Sequence, residues 1–270
     1  MSRIAVLGNL SLDRVDGKPP RVGGPPYYAA RALRLLGVPA VVATKFAEAD
    51  RTLLLPPLVA LGLPVRWQPA QSTAAYSFAY DGDARTMTVD AIGEPWTPEE
   101  AEGWVAGVLG RAFWVHVGAL AHREFPPDTL AVLARGRRLS LDGQGLTRPA
   151  RTGPLELVGE ADADVLRHVS VLKLSEDEAL ALVGELDERA LSDLGVPEVV
   201  VTLGSRGALV LEWRRLLHVP TRPLADVDPT GAGDAFAAAY LVARSRGYRP
   251  RAAARRATSV ATTLIAHRTR

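Results

Sequence analysis

The chain has 270 residues, 47% hydrophobic and 23% charged, with a net charge of +2 from 32 basic and 30 acidic residues. This balance excludes a disordered chain and is enough to bury one large core. With no cysteine, disulfides, thiolate nucleophiles and cysteine-bound metal centres are excluded together. The basic residues are almost all arginine, and the densest run, Arg244 to Arg256, is interleaved with alanine as on a solvated helix face, not a nucleic-acid surface.

Met1-Ser2-Arg3 leads into Ile4 to Leu10, too short an apolar run for a secretory signal, so a cytoplasmic protein is expected. Ile4 to Leu7 reads as a first strand and Asp13 to Val22 as an extended, turn-rich segment. Ala29, Ala32, Leu33 and Leu36 share one helical face, and Ala40 to Ala43 is the next strand. The longest apolar stretch, Leu53 to Val65, is interrupted by Pro56, Pro57, Gly62 and Pro64, which no spanning helix tolerates.

The phrase Leu36-Gly37-Val38-Pro39 recurs as Leu61-Gly62-Leu63-Pro64 and Leu194-Gly195-Val196-Pro197. Glycine supplies a left-handed helix C-cap and the proline two residues on forbids continuation, so each phrase predicts a helix-to-strand junction. Thr73 to Tyr80 and Arg85 to Ile92 flank Asp81-Gly82-Asp83-Ala84 as a hairpin. With Asp13 to Val22 it forms a small β lid, over about 13–22 and 68–93. Its unpaired edges make a homodimer through the lid plausible.

A helix is expected over Pro98 to Leu109, a strand over Phe113 to Val117, a helix over Asp128 to Ala134, then strands at Leu139 to Leu141, Val169 to Leu174 and Glu198 to Thr202. Unbroken apolar strands alternating with helices predict a single α/β domain over 1–270, a doubly wound, mostly parallel sheet with helices on both faces.

Asp228-Pro229-Thr230-Gly231-Ala232-Gly233-Asp234-Ala235-Phe236 opens an alanine-rich helix, Ala237 to Arg246. Small residues at 231–233 let backbone N–H groups converge at a helix N-terminus, an anion hole suited to phosphate. Asp234 would repel phosphate unless it stands to one side, where it can take the proton of an attacking hydroxyl. Asp228 or Thr230 capping the helix is the plainer reading of the same letters.

The whole string resembles the signature of the ribokinase-like (PfkB) carbohydrate kinase family, and other family landmarks follow in order. The resemblance implies an ATP-dependent kinase with Mg²⁺, acting on a hydroxyl of a small sugar, polyol or nucleoside, in which Asp234 is the general base and Gly231, Ala232 and Gly233 form the anion hole. It implies substrate contacts from Asp13, from Gly23 and Gly24 at the hinge, and from Gln144 and Arg148 in Asp142-Gly143-Gln144-Gly145-Leu146-Thr147-Arg148. Thr202, Gly204, Gly207 and Thr230 are implied at the nucleotide phosphates, with the C-terminal helix, Arg251 to Ala266, near the adenine. Lys173-Leu174-Ser175-Glu176-Asp177-Glu178 resembles the family's Asn-x-x-Glu element, in which Glu178 is the acid that helps hold magnesium through water and the only residue carried over, although Ser175 replaces the family's asparagine and Ser175 with Glu178 also makes a capping box.

Tyr28 stands where the family usually places a sugar-contacting asparagine, and Ser11 where ribokinases proper have another. The Asp-x-Gln-Gly-x-x-Arg string is similar to a branch that includes inositol kinases, so a myo-inositol-like polyol is the first expectation. A nucleoside acceptor, clamped by Tyr28, Phe78 and Tyr80, is the alternative; a non-catalytic ligand sensor is the other.

Overall fold

The structure, a computed structural model, describes residues 3–81, 84–222 and 229–266. Asp228 and the side chain of Tyr80, expected as a helix cap and a clamp, lie outside what is described, as does the hairpin tip at Gly82-Asp83.

The strands are β1 (Ile4–Asn9), β2 (Ser11–Val15), β3 (Arg21–Gly23), β4 (Ala40–Ala47), β5 (Val65–Ala70), β6 (Ala74–Asp81), β7 (Ala84–Ala91), β8 (Trp114–Val117), β9 (Arg138–Asp142), β10 (Gly153–Pro154), β11 (Val171–Ser175), β12 (Glu198–Thr202), β13 (Ala208–Glu212) and β14 (Arg215–Val219). The α-helices are α1 (Pro25–Leu35), α2 (Arg51–Val59), α3 (Pro98–Glu100), α4 (Ala106–Leu109), α5 (Pro127–Ala134), α6 (Gln144–Thr147), α7 (Ala163–Leu166), α8 (Glu176–Val183), α9 (Glu188–Asp193), α10 (Ala232–Ser245) and α11 (Pro250–Ala266).

A nine-stranded sheet runs β14-β13-β12-β11-β9-β8-β1-β4-β5, parallel except for the antiparallel β13 and β14. Its strands are apolar on both faces because both are covered. In β1, Ala5 and Leu7 point into one core with α5, while Ile4 and Val6 point into the other with α1, α10 and α11. This is the expected doubly wound α/β architecture.

All three Leu-Gly-x-Pro phrases fall between a helix and a strand, and Gly37, Gly62 and Gly195 take the positive φ of a left-handed cap, at 59°, 73° and 69°. The helix expected over Pro98 to Leu109 is broken. Ala101–Val105 forms a π-turn between α3 and α4, and Gly103, lacking a Cβ, leaves helical dihedrals there (φ −86°, ψ −111°).

The second sheet runs β10-β7-β6-β2-β3. The segment expected to join the hairpin does so: β2 pairs in parallel with β6 and antiparallel with β3. The second stretch begins later than residue 68, because β5 pairs with β4 at the edge of the main sheet. The sheet also has an unforeseen member. Gly153 and Pro154 pair with Val89 and Thr88, so part of the β7 edge is covered by the chain itself. Among the described residues no helix is long and apolar enough to cross a membrane.

Candidate active site at the carboxyl ends of the strands

Parallel strands carry their loops at one end, and the crevice there is where open α/β sheets bind ligands. Asp142 closes β9, Lys173 lies near the end of β11, Thr202 closes β12, and α10 starts above them. Gly231, not Thr230, is the N-cap of α10, at φ 74°, and among the described residues no side chain caps the helix. Ala232 N, the first N–H of α10, donates to Pro229 O at 3.0 Å, and the positive end of the helix dipole lies at this turn.

Asp234, in the first turn of α10, is buried, and its Oδ1 has no hydrogen-bond partner among the described residues. Burial above all, then the charge of Asp142, pushes its carboxyl up to about 7, against the opposing pull of Lys173 and Arg148. A carboxylate so tuned is matched to taking a proton near neutrality.

Lys173 is the neighbour that motif reading missed. Its Nζ lies 3.3 Å from Asp142 Oδ2, and a Cβ placed on Gly233 would stand 2.7 Å from it. Burial works against its charge, but Asp142, Glu178 and Asp234 outweigh that and hold the ammonium above its ordinary range. The available signal was an isolated lysine inside an apolar strand of a chain with three lysines.

One side of the crevice is built around Asp13 on β2. Its Oδ1 accepts from Ser11 Oγ at 2.7 Å, and Tyr28 OH lies 3.4 Å from Oδ2. Gly23 runs so close that a Cβ would meet the Asp13 carboxylate at 2.1 Å, which is why glycine is required. Gly24 turns the chain at φ 92° beside the end of β1. From the other side, Gln144 Oε1 and Arg148 Nε are buried without hydrogen-bond partners among the described residues, and Arg148 Nη2 lies 3.8 Å from Glu178 Oε1.

Glu178 meets both readings of its motif. Its Oε2 accepts from Ser175 N at 2.8 Å while Ser175 Oγ accepts from Glu178 N at 3.2 Å, a closed capping box, and its other oxygen turns toward Arg148. Among the described residues no three Asp, Glu or His side chains are grouped to hold a metal ion. Lys173 and Arg148 stand among the acids instead, so these residues do not fit a directly liganded magnesium.

On the far side of the α10 turn, a cleft of about 310 Å³ is lined by Gly204, Gly207, Gly233, Phe236, Ala261 and Ile265, among others. Thr202 also borders it, with its hydroxyl donating to Leu174 O at 3.2 Å. The helix expected over Arg251 to Ala266 supplies one wall as α11. Thr230 does not line this cleft; it lies with Tyr28 and Gly231 in the adjoining crevice.

A loop after β8 completes the pocket's frame. Glu124 is buried and accepts from Leu120 N at 2.7 Å and from Asn9 N at 3.3 Å; burial, partly offset by these bonds, pushes it up to about 7.

A family model described as pfkB family carbohydrate kinase matches residues 21–269. A solved structure described as a pyrophosphate-dependent kinase in the ribokinase family, complexed with a pyrophosphate analog and myo-inositol, superposes with a TM-score of 0.84 at 25% identity, covering 97% of this chain and 95% of its own. Cytidine kinase of Thermococcus kodakarensis is 33% identical over 130 residues, 45% of each chain. Fructokinase of Salmonella thompson is 31% identical over 140 residues, 47% of this chain and 62% of its own. The chain thus spans about half the length of the curated relatives it matches. Because the family match runs over nearly all of the sequence and takes in the turn that opens α10, the chain belongs to the pfkB family of carbohydrate kinases.

Proposed function

We propose that the protein transfers a phosphoryl group from ATP to a hydroxyl of a small polyol, with a myo-inositol-like compound as the first candidate. The observation that carries this is the placement of Asp234, a buried carboxyl with an open oxygen at the mouth of α10. The donor cleft lies on one side of the α10 turn and the Asp13 side on the other.

The acceptor is oriented by Asp13, Gln144 and Arg148, with the backbone of Gly23 and Gly24 shaping the entry. Asp234 takes the hydroxyl proton as the new O–P bond forms. The amides of Gly231 and Gly233, at the positive end of the α10 dipole, face the charge on the group in transfer, while Ala232 N is held by Pro229 O at 3.0 Å. The second sheet serves as a lid that excludes water and protects the donor from hydrolysis. Magnesium carried on ATP would add positive charge at the phosphates; the described residues offer no three-acid set for it, and no step is assigned to the ion.

ATP is favoured because the cleft has an apolar wall of Phe236, Ala261 and Ile265. Such a wall suits a purine and has no partner in inorganic pyrophosphate. A polyol is favoured by the polar, hydroxyl-matching set around Asp13 and by the likeness to the myo-inositol complex.

The test is a matrix of acceptors (myo-inositol, other polyols, hexoses, pentoses and cytidine) against ATP and pyrophosphate, read as acceptor-dependent loss of donor. Turnover of a polyol with ATP is expected. Preference for cytidine moves the acceptor to nucleosides, preference for pyrophosphate overturns the donor assignment, and binding without turnover points to a ligand sensor.

A further inference from the structure

The motif that names the anion hole is a backbone motif, yet the strongest positive charge beside it belongs to a side chain outside that motif. Lys173 projects from β11, its Nζ 3.3 Å and 3.5 Å from the two oxygens of Asp142 and against the Cα of Gly233. A Cβ at Gly233 would push the ammonium aside, so glycine here leaves Lys173 room to sit against the turn. Lys173 is only 5% exposed.

Placing a buried cation against a helix N-terminus is unfavourable in itself, because both are positive and the ammonium has lost its water. Asp142 offsets that cost. A purely structural ion pair has no need of this position, whereas a cation added to the positive end of a helix dipole makes a site for an anion of several charges. The rest of the pocket agrees. Asp142 on β9, Glu178 on α8 and Asp234 on α10 are three acids with no metal-holding arrangement, and Lys173 on β11 and Arg148 after α6 are the cations that face them.

We propose that Lys173 is a further catalytic residue, whose ammonium leaves Asp142 for the transferred phosphoryl group and holds it beside the Gly231 to Gly233 amides. The proposal rests on the kinase reading above. In the transfer, the acceptor oxygen forms its bond to phosphorus as the bond from phosphorus to the bridging oxygen breaks. The bridging oxygen leaves with that electron pair on the nucleoside diphosphate, and the acceptor proton goes to Asp234. Lys173 keeps its proton throughout. While it faces Asp234 it also favours the ionised base, so its removal should move the acid limb of the rate profile to higher pH.

The experiment compares wild type, Lys173→Met, Lys173→Arg, Asp142→Asn/Lys173→Met and Asp234→Asn, with circular dichroism confirming the fold of each. Binding of inorganic tripolyphosphate is read by calorimetry, and turnover with ATP is read against pH. Loss of one charge-assisted contact should weaken tripolyphosphate binding roughly 10- to 100-fold in both Lys173→Met variants. Lys173→Arg should restore part of that binding. The double variant keeps the test alive if Lys173→Met, with Asp142 left unpaired, fails to fold. Asp234→Asn should lose turnover while keeping tripolyphosphate binding.

A folded double variant that binds tripolyphosphate as tightly as wild type overturns the proposal, as does a wild type that does not bind it or an unmoved acid limb in a folded, active Lys173→Met. If the wild type binds tripolyphosphate through Lys173 but phosphorylates no acceptor tested, the acceptor reading fails and the Lys173 anion contact stands.

Discussion

The ring of Tyr28 lies directly on the backbone of Gly231: a Cβ placed there would stand 2.2 Å from the ring, at a residue already held at φ 74°. The turn that opens α10 and the pocket around Asp13 thus share a wall, since the same phenol points its hydroxyl at Asp13. Gly231→Ala should lower stability by about 1–2 kcal/mol for the left-handed backbone alone and should abolish most turnover by tilting the α10 amides. Combined with Tyr28→Ala, the stability loss should be smaller than the sum of the two single losses. A double-mutant cycle by urea unfolding checks this, and simple additivity would contradict the contact.

The Asp234 carboxyl is raised from 3.8 to about 7, chiefly by burial. The base must be ionised to work, so kcat should fall as pH drops below about 7. For stability the sign is opposite: between about 4 and 7 the folded state holds a proton that the unfolded chain has released, so this group's contribution declines as pH rises through that window. Asp234→Asn should therefore cost about 10²- to 10⁴-fold in kcat and yet raise the unfolding temperature at pH 8, with little gain at pH 4. Thermal unfolding at both values gives the comparison.

Glu124 should be a stability residue of the pocket's frame. Glu124→Gln puts an amide N–H where two backbone donors converge, from Leu120 and Asn9. The expected loss is about 1–3 kcal/mol, measured by urea unfolding, with a rise in acceptor KM because Leu120 is packed with Tyr76 and Phe78 of the second sheet.

A distant network provides the contrast. Glu198 accepts from Tyr240 OH at 2.8 Å and from Arg244 Nε at 2.9 Å, tying β12 to α10 on the side away from the pocket. Glu198→Ala should destabilise by about 3 kcal/mol, since it strands a tyrosine hydroxyl and a partly buried guanidinium. The KM for donor and acceptor should not move.

Legibility followed the range of the interactions. Leu194-Gly195-Val196-Pro197 announced its junction because the glycine cap and proline block act within four residues. Asp234 was legible because its amides and carboxylate belong to one turn. Lys173 was not, because its meaning comes from Asp142 on β9 and Gly233 on α10, far apart in the chain. The two residues of β10 are too few to show a period, and Thr202 gave no sign that its hydroxyl would turn to Leu174. Gly103 was read as one residue of a helix because a single glycine does not by itself mark a break.

The pairing of Gly153 and Pro154 with Val89 and Thr88 joins the loop bearing Arg148 to the same sheet that carries Asp13. Arg148 also reaches Met87 on β7. A swing of that sheet away from the body would either peel off this short seam or drag the arginine with it. In both cases Glu178 would lose its cation as the crevice met bulk water, so the charge balance around this acid is tied to the position of the second sheet.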